Sequence, residues 1–327
     1  MKKKIAALVL ALAAMAAVLA GCGEAKSRTW SESGKLKVIA TVFPYYDFVR
    51  QIAGDAVDVE LFIPAGSSTH SFEPTPKDMI DLQEADLVIY NGGHMESFMD
   101  PILEAADGEG NLLCMMDYVE PLEELIVEGM EHEHEIEEHG HTHDHDEEGH
   151  VSEYDEHIWT SPKNAVLLVQ AICDALSEKA PEYAGLFREN TEEYLGKLRE
   201  LDERFEEVVA DARNKIMIVG DRFPLRYFAE SYGLDYRAAF SGCSEDSEPS
   251  VRTVAYLIDR VEEYQIPVVY HMELSSTRIA DTIAEETGAK VLEFHSCHNV
   301  TKEEWEAGAT YLELMEGNVE KLKEGLQ

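Results

Sequence analysis

Short apolar runs alternate with amphipathic stretches along most of this 327-residue chain. Eight runs rich in Val, Ile, Leu and aromatic residues predict β-strands at 36–42, 57–63, 86–90, 112–116, 215–220, 235–240, 267–271 and 290–294. Between them, apolar residues recur at helical spacing. Strands that alternate with helices in this way imply parallel βαβ units, so the pattern predicts an α/β fold.

One of the helical stretches is much longer than the others. Residues 181–213 keep a single apolar stripe amid charged residues, and Pro181 stands at the start. A helix of this length would span about 45–50 Å. That is long for a globular helix and long enough to connect two lobes.

The second half of the chain repeats the first in its letters. Three short motifs occur once in each half at corresponding places. Phe-Pro follows the first strand (Phe43-Pro44 and Phe223-Pro224), and Glu-Pro precedes a helix (Glu73-Pro74 and Glu248-Pro249). His-Met-Glu ends a strand (His94-Met95-Glu96 and His271-Met272-Glu273). We therefore predict two similar lobes, at 35–180 and 214–327, each with a four-stranded, mainly parallel sheet. The long rigid helix at 181–213 joins them.

Ligands of such sheets collect beyond the carboxyl ends of the strands. We therefore expect the loops that carry the following residues to converge on one cleft: His70, His94, Asp221, Glu273 and His295.

The charge of the chain limits its partners. Lys and Arg number 27 against 66 Asp and Glu, a formal net charge of −39. This argues against nucleic acid and against electrostatic docking on anionic lipid, and it favours the attraction of cations.

The N-terminus has the pattern of a secretory signal at 1–22. Lysines precede a short apolar run, and Leu-Ala-Gly stands directly before Cys22. This resembles the lipobox of bacterial lipoproteins, in which the cysteine receives the lipid. A plain signal peptide or an anchoring helix is the alternative, although the run is short for a membrane span. Residues 23–34 are typical of a flexible tether.

The remaining cysteines divide into two kinds. Cys114 and Cys173 lie in apolar patterns and are predicted to be buried thiols. Cys243 and Cys297 lie in loop-like surroundings, where a disulfide between them is possible outside the cytoplasm. Two free thiols, or thiolate ligation of a metal, remain the alternatives.

Histidines carry the candidate chemistry. Seven of the thirteen lie between His132 and His150 in an acidic, His-rich loop at 128–156, and such side chains bind divalent cations. His70 follows a predicted strand, and His157 precedes a predicted helix. Each could instead be a capping or solvent-facing residue. Two histidines in separate loops of one predicted cleft favour a metal site.

Two motifs resemble those of a known family. PAGSSTHSFEPTP, which contains His70, and DEHIWTSP, which contains His157, are similar to signatures of the metal-binding lipoproteins of zinc and manganese ABC importers. The resemblance extends over essentially everything after the tether. It implies a lipid-anchored, extracytoplasmic, monomeric solute-binding protein that holds a metal between its lobes and delivers it to a permease and its ATPase, without catalysis.

The second lobe departs from the family pattern. Arg222 stands where the family usually has His or Glu, and a guanidinium cannot ligate a metal. By register, the last family ligand falls at His295, and His298 follows in the same segment. The expected metal ligands are therefore His70, His157 and one or both of His295 and His298, with Asp221 as a weaker candidate. We expect Glu273 to hold a ligand in place.

A site dominated by imidazole favours Zn²⁺ over Mn²⁺, which prefers carboxylate oxygen. Three other functions remain open. They are a Mn²⁺ importer component, a surface zinc buffer or adhesin without a transporter, and a zinc hydrolase that uses Glu156 as a general base. The hydrolase lacks a His-Glu-x-x-His or similar motif in this sequence.

Overall fold

A computed structural model describes residues 34–68, 72–105, 110–130, 154–242 and 248–327. His70, Cys22 and Cys243 lie outside these ranges, as do the signal segment, nearly all of the tether and most of the His-rich loop. Lys35–Gln327 forms one compact unit, and the domain limits proposed from the sequence stay a prediction. Within the described ranges, no helix combines the length and apolarity needed to cross a membrane.

The first half of the unit is built on one parallel sheet in the order β2-β1-β3-β4. Its strands are β1 Leu36–Ala40, β2 Val57–Leu61, β3 Leu87–Tyr90 and β4 Leu112–Cys114. Its helices are α1 Phe43–Ala53, α2 Pro76–Glu84 and α3 Asp100–Ala105, with 3₁₀ turns at Gly54–Ala56, His94–Met99 and Met115–Tyr118. Thr75 and Asp78 form a capping box that begins α2, and Pro76 stands at the first position of the helix.

Two helices continue the chain from the first sheet to the second. A 3₁₀ turn at Ile158–Thr160 leads into α4 Pro162–Lys179, and another at Pro181–Tyr183 leads into α5 Ala184–Ala210. The 27 residues of α5 span about 40 Å.

The second half repeats the arrangement in the order β6-β5-β7-β8, again with every pairing parallel. Its strands are β5 Ile216–Phe223, β6 Asp235–Ser241, β7 Val268–His271 and β8 Lys290–Glu293. Its helices are α6 Arg226–Tyr232, α7 Val251–Tyr264, α8 Arg278–Thr287, α9 Lys302–Ala307 and α10 Tyr311–Gly325. The prediction of two four-stranded parallel sheets connected through a long helix is confirmed.

Helix α5 packs on both halves of the unit. Tyr194 in its middle contacts Phe48 of α1, with ring centroids 6.1 Å apart. Phe205, three turns further, contacts Phe228 of α6 at 4.9 Å. One apolar stripe therefore buries side chains of both halves, which stabilises their arrangement around the helix.

Helical spacing continues through 301–326 and predicts a single helix there, but the structure has two. Gly308 adopts a left-handed conformation with φ 76°, which ends α9 and suits a residue without a side chain. Thr310 and Glu313 then form a new capping box and begin α10. The break directs the Tyr311 N–H to the buried carboxylate of Asp47 at 2.9 Å, which ties the last helix to α1.

Candidate metal centre

Two predicted ligands from opposite halves of the chain lie ring to ring. His157 precedes α4 and His298 follows β8, and their ring centroids are 5.2 Å apart in an edge-on arrangement. His157 is fully buried and His298 is 8% exposed. The indole of Trp159 lies 5.6 Å from the first ring and 5.0 Å from the second. The pair thus occupies a buried, partly aromatic position between the halves.

Asp155 orients His157. One carboxylate oxygen accepts the backbone N–H of His157 at 2.9 Å and lies 3.2 Å from ring atom Nδ1. A carboxylate at Nδ1 favours the tautomer with the proton there, which leaves Nε2 as the nitrogen that can bind a metal. Tyr227 of α6 holds the same segment because its hydroxyl donates to the Asp155 carbonyl at 3.0 Å. Asp155 was not among the residues predicted for the site, although it begins the DEHIWTSP motif and Asp-x-His is a readable signal.

Glu156, the neighbouring acid, has a structural use. Its carboxylate accepts the backbone N–H groups of His94 and Met95, the latter at 2.9 Å. Burial raises the pKa of Glu156, and these two hydrogen bonds oppose that rise. Gly93 lies against the same side chain with φ 90°, where a Cβ would fall 2.3 Å from the Glu156 carboxyl carbon. The carboxylate is therefore held toward the backbone at 93–95.

Glu273 fixes the segment that carries His298. Its carboxylate accepts the N–H of Ser296 at 2.7 Å, the hydroxyl of Ser296 at 2.6 Å and the N–H of His298 at 3.0 Å. The Trp159 indole also donates to the Ser296 carbonyl at 2.9 Å. The loop after β8 is thus held from both halves of the unit, and Glu273 makes the kind of contact expected of a residue that holds a ligand in place.

His295 is engaged differently from His298. Its Nδ1 accepts the backbone N–H of Cys297 at 2.9 Å, which leaves the ring proton on Nε2. Nε2 lies 3.7 Å from a carboxylate oxygen of Glu304 in α9, and this contact lowers the pKa of Glu304 to about 2, against the effect of burial. Asn318 of α10 bonds to the backbone N–H and carbonyl of His295 at 2.9 and 2.7 Å. The imidazole therefore faces the C-terminal helices through Nε2.

A cavity of about 220 Å³ adjoins the histidine pair. Of the residues predicted for the cleft, Asp221 and Glu273 line it, whereas His94 and His295 do not, and the predicted ligand His298 lines it too. The Asp221 carboxylate accepts the N–H of Arg222 at 2.8 Å and that of Met272 at 3.0 Å. Asp221 therefore uses both of its oxygens on the backbone.

The loop that leads to His70 is fastened to the His298 segment. The Asn299 amide donates to the carbonyls of Pro64 and Ser67, each at 2.9 Å, and the Gly66 N–H donates to the Val300 carbonyl at 2.7 Å. Ser67 also lines the cavity with His298. Asn299 was not identified from the sequence, which offers no signal for this contact.

On the far side of His70, Phe72 packs on Phe62 with ring centroids 5.5 Å apart. Both flanks of the motif are thus anchored, and His70 itself lies outside the described residues. Within the described ranges, no three His, Cys, Asp or Glu side chains are grouped so that they could hold a metal ion. The histidine pair would therefore need a further ligand from elsewhere.

Of the cysteines, Cys297 lies in the segment that carries His295 and His298. It is fully buried with φ 61°, between the two histidines of its segment. Its suggested partner, Cys243, lies outside the described residues, so the disulfide stays a prediction. Cys173 is buried as expected, and Cys114 is half-buried.

The fold and the paired histidines define a two-sheet, helix-bridged α/β binding protein. The family described as "ZnuA: Zinc-uptake complex component A periplasmic" matches residues 38–325, and the chain belongs to this family. It is 35% identical over 318 residues to the high-affinity zinc uptake system protein ZnuA of Bacillus subtilis, covering 96% of each chain.

Two comparisons with streptococcal proteins agree with this family assignment. The chain is 34% identical to the zinc-binding lipoprotein AdcA of Streptococcus pneumoniae, over 98% of this chain but 61% of that longer protein. The crystal structure of the Zn(II)-bound ZnuA-like domain of AdcA superposes with a TM-score of 0.72 at 30% identity. That match covers 90% of this chain and 99% of the domain.

Proposed function

We propose that this protein captures Zn²⁺ between its two halves and delivers it to an ABC permease driven by an ATPase. Membership of the zinc-uptake family supports this function, as do relatives named for zinc uptake and zinc binding. The lipobox-like sequence at Cys22 supports a lipid anchor on the outer face of the membrane. The protein would act there as a monomer.

The observation that carries the proposal is the contact between His157 and His298. Two buried imidazoles from opposite halves meet, and Asp155 leaves Nε2 of His157 to face a metal. We assign His70 as the third ligand because its loop is anchored through Asn299 to the His298 segment. His298 takes precedence over His295, whose Nδ1 already accepts a backbone N–H.

The donor set favours Zn²⁺ over Mn²⁺. The proposed ligands are imidazoles, which suit zinc, while manganese prefers carboxylate oxygen. The carboxylates nearest the cavity, Asp221 and Glu273, each accept two backbone N–H groups. Using either one as a metal ligand would weaken the hydrogen bonds that shape the site.

We propose that the protein binds and releases its cargo without catalysis. The acid that could have served as a general base, Glu156, is bonded to the backbone of His94 and Met95. A base in hydrolysis must reach the attacking water, and these bonds direct the carboxylate elsewhere.

The test is a competition titration of Zn²⁺ against a chromogenic chelator. His157→Ala and His298→Ala should each weaken zinc binding by more than roughly 10–100-fold, the cost of losing only an outer partner of a ligand. His70→Ala should do the same if it is the third ligand. His295→Ala should bind within a few-fold of the wild type, and His271→Ala, which removes an imidazole at the end of β7, is the matched control.

Wild-type affinity in both His157→Ala and His298→Ala would overturn the assignment. Delivery is tested separately in cells that lack the gene. Growth on scarce zinc should return with the wild-type gene and fail to return with His157→Ala. Growth that depends on added manganese instead would contradict the choice of zinc.

A further inference from the structure

Two segments on either side of residues 131–153 pair with each other. The Asp155 N–H donates to the Leu122 carbonyl at 2.9 Å, and Glu123 forms an antiparallel bridge with Tyr154. The second of these segments continues directly into His157. The chain that precedes residue 131 therefore contacts the segment that carries a proposed zinc ligand.

A tyrosine hydroxyl from the second half of the unit closes this pair. Tyr227 of α6 accepts the Leu122 N–H at 3.0 Å and donates to the Asp155 carbonyl at 3.0 Å. A hydroxyl has one proton to donate and lone pairs that accept, so a single tyrosine can hold both segments at once. Tyr227 is 3% exposed, and hydrogen bonds shielded from water are electrostatically stronger than exposed ones.

Packing of α6 fixes the position of that hydroxyl within the second half. Phe228, the next residue, contacts Phe205 of α5 with ring centroids 4.9 Å apart and Phe294, just after β8, at 5.3 Å. The two partners of the hydroxyl belong to other parts of the chain, since Leu122 follows β4 and Asp155 precedes α4. The hydroxyl thus joins the second half to the two segments beside His157.

Residues 122–130, which we call the strap, make further contacts with the second half. Gly129 has φ 96°, and a Cβ there would fall 2.3 Å from a ring carbon of Tyr256 on α7, so the strap backbone lies directly against that ring. The Tyr256 hydroxyl donates to the Glu128 carboxylate at 3.2 Å. Met130, at the end of the strap, is 5% exposed. The strap is therefore held at both of its ends, by Tyr227 and by Tyr256.

Asp155 connects this arrangement to the imidazole. One oxygen of its carboxylate accepts the His157 N–H at 2.9 Å and lies 3.2 Å from Nδ1. Just after β6, a Cβ on Gly242 would come 3.0 Å from the other oxygen, so the second half also lies close against the carboxylate. The Asp155 carbonyl is the group that Tyr227 holds. Tyr227 is therefore bonded to the residue that orients His157.

We propose that Tyr227 is a positioning residue, which couples the second half of the unit to the His157 imidazole through Asp155. Its hydroxyl keeps the Asp155 carboxylate where it favours the tautomer of His157 with the proton on Nδ1. Separation of the halves must break the bonds of this hydroxyl, so the ring loses its orientation as the site opens. The consequence for zinc rests on the proposed function, whereas the effect on the imidazole does not.

The first test uses the zinc-free protein. Tyr227→Phe keeps the ring and removes only the hydroxyl. Imidazole nitrogen shifts measured by NMR, assigned by comparison with His157→Ala, should show the Nδ1–H tautomer of His157 in the wild type and a mixture of tautomers in Tyr227→Phe. Amide hydrogen exchange at Leu122 should become roughly 2–10-fold faster, the effect of losing one neutral hydrogen bond.

The second test measures the rate of zinc release. Zinc-loaded protein is mixed with an excess of chelator in a stopped-flow instrument. Tyr227→Phe should release zinc about tenfold faster, because fewer bonds hold the halves and the ring in place, while the association rate changes by less than about twofold. Changes within one interface usually act on dissociation more than on association.

Two other tyrosines of the second half provide matched controls. Tyr232→Phe removes a hydroxyl from the same helix α6, where it donates to Asp202 of α5 at 2.8 Å. Tyr256→Phe removes the hydroxyl that contacts Glu128 at the other end of the strap. Both variants should keep the His157 tautomer and the zinc release rate of the wild type.

The outcomes separate this inference from the proposed function. An unchanged His157 spectrum in folded Tyr227→Phe overturns the inference, and so does a change of the same size in Tyr232→Phe. Zinc release at the wild-type rate in Tyr227→Phe also overturns it, since the positioning would then have no effect on the metal. If the wild-type protein binds no zinc, the proposed function fails, and the metal-free spectra alone decide the role of Tyr227.

Discussion

Replacing Asp155 tests whether the carboxylate beside His157 contributes to zinc affinity. In Asp155→Asn the side chain keeps its shape and can still accept the His157 N–H, but it loses its charge. The bond to Nδ1 then becomes neutral, and the imidazole becomes a weaker donor to the metal. We expect weaker zinc binding in a protein that remains folded.

The magnitude follows from the contacts of Asp155. Hydrogen bonds to charged groups contribute about 1.5–3 kcal/mol and neutral ones about 0.5–1.5 kcal/mol. The loss of about 1–1.5 kcal/mol in Asp155→Asn corresponds to roughly tenfold weaker binding. Asp155→Ala leaves both the backbone N–H and Nδ1 of His157 without this acceptor, so we expect a loss toward the upper end of roughly 10–100-fold.

The measurement is a chelator competition titration, with thermal unfolding of the zinc-free proteins as a check on folding. Asp281→Asn is the matched control, since its carboxylate accepts a hydrogen bond from the Thr277 hydroxyl on α8. Wild-type affinity in Asp155→Asn and Asp155→Ala, combined with a large loss in His157→Ala, would refute the reasoning. It would mean that the ring is oriented by its packing alone.

Three further perturbations address the surroundings of the site. Gly242→Ala would bring a Cβ within 3.0 Å of the Asp155 carboxylate, so zinc affinity should fall several-fold. Gly196→Ala is the control: its Cβ meets open space on helix α5, so the variant should stabilise the protein by about 0.5–1 kcal/mol and leave zinc affinity unchanged. Burial raises the pKa of Asp47 to about 6 from its ordinary 3.8, so stability should fall by up to about 3 kcal/mol as the pH rises from about 4 to 6. Asp47→Asn should flatten that dependence in urea unfolding, and an unchanged slope would contradict it. Deletion of 131–153 should slow zinc loading at scarce zinc without abolishing tight binding, and loss of tight binding would show that the cleft is misassigned.

Local patterns were sufficient to predict the fold. Each half alternates apolar runs with amphipathic stretches, and prolines and capping residues mark where helices begin. The misjudged C-terminal helix shows the limit of periodicity. Gly308 and the Thr310–Glu313 pair were readable signals for a break, but the apolar spacing continues across them. The break is decided by a local left-handed backbone and a new cap.

The site was less predictable because its geometry depends on contacts between distant segments. His157 could be identified from its motif, but nothing in the letters distinguishes His295 from His298. The structure separates them, because the Nδ1 atom of His295 accepts the Cys297 N–H, whereas the ring of His298 contacts that of His157. The hydrogen bond from Asn299 to the Pro64 carbonyl joins segments more than two hundred residues apart, so it likewise leaves no local pattern in the sequence.

The same contacts explain how so acidic a chain can present a site of imidazoles. Asp155, Glu156, Asp221 and Glu273 all lie close to the proposed ligands, and all four accept backbone N–H groups. Two of the acids come from each half, so each half stiffens its own ligand segment. Their charge still favours a cation, but each of them already accepts hydrogen bonds from the backbone. Selectivity for zinc would then come from the orientation of the histidines, and release would require a partner that disturbs these hydrogen bonds.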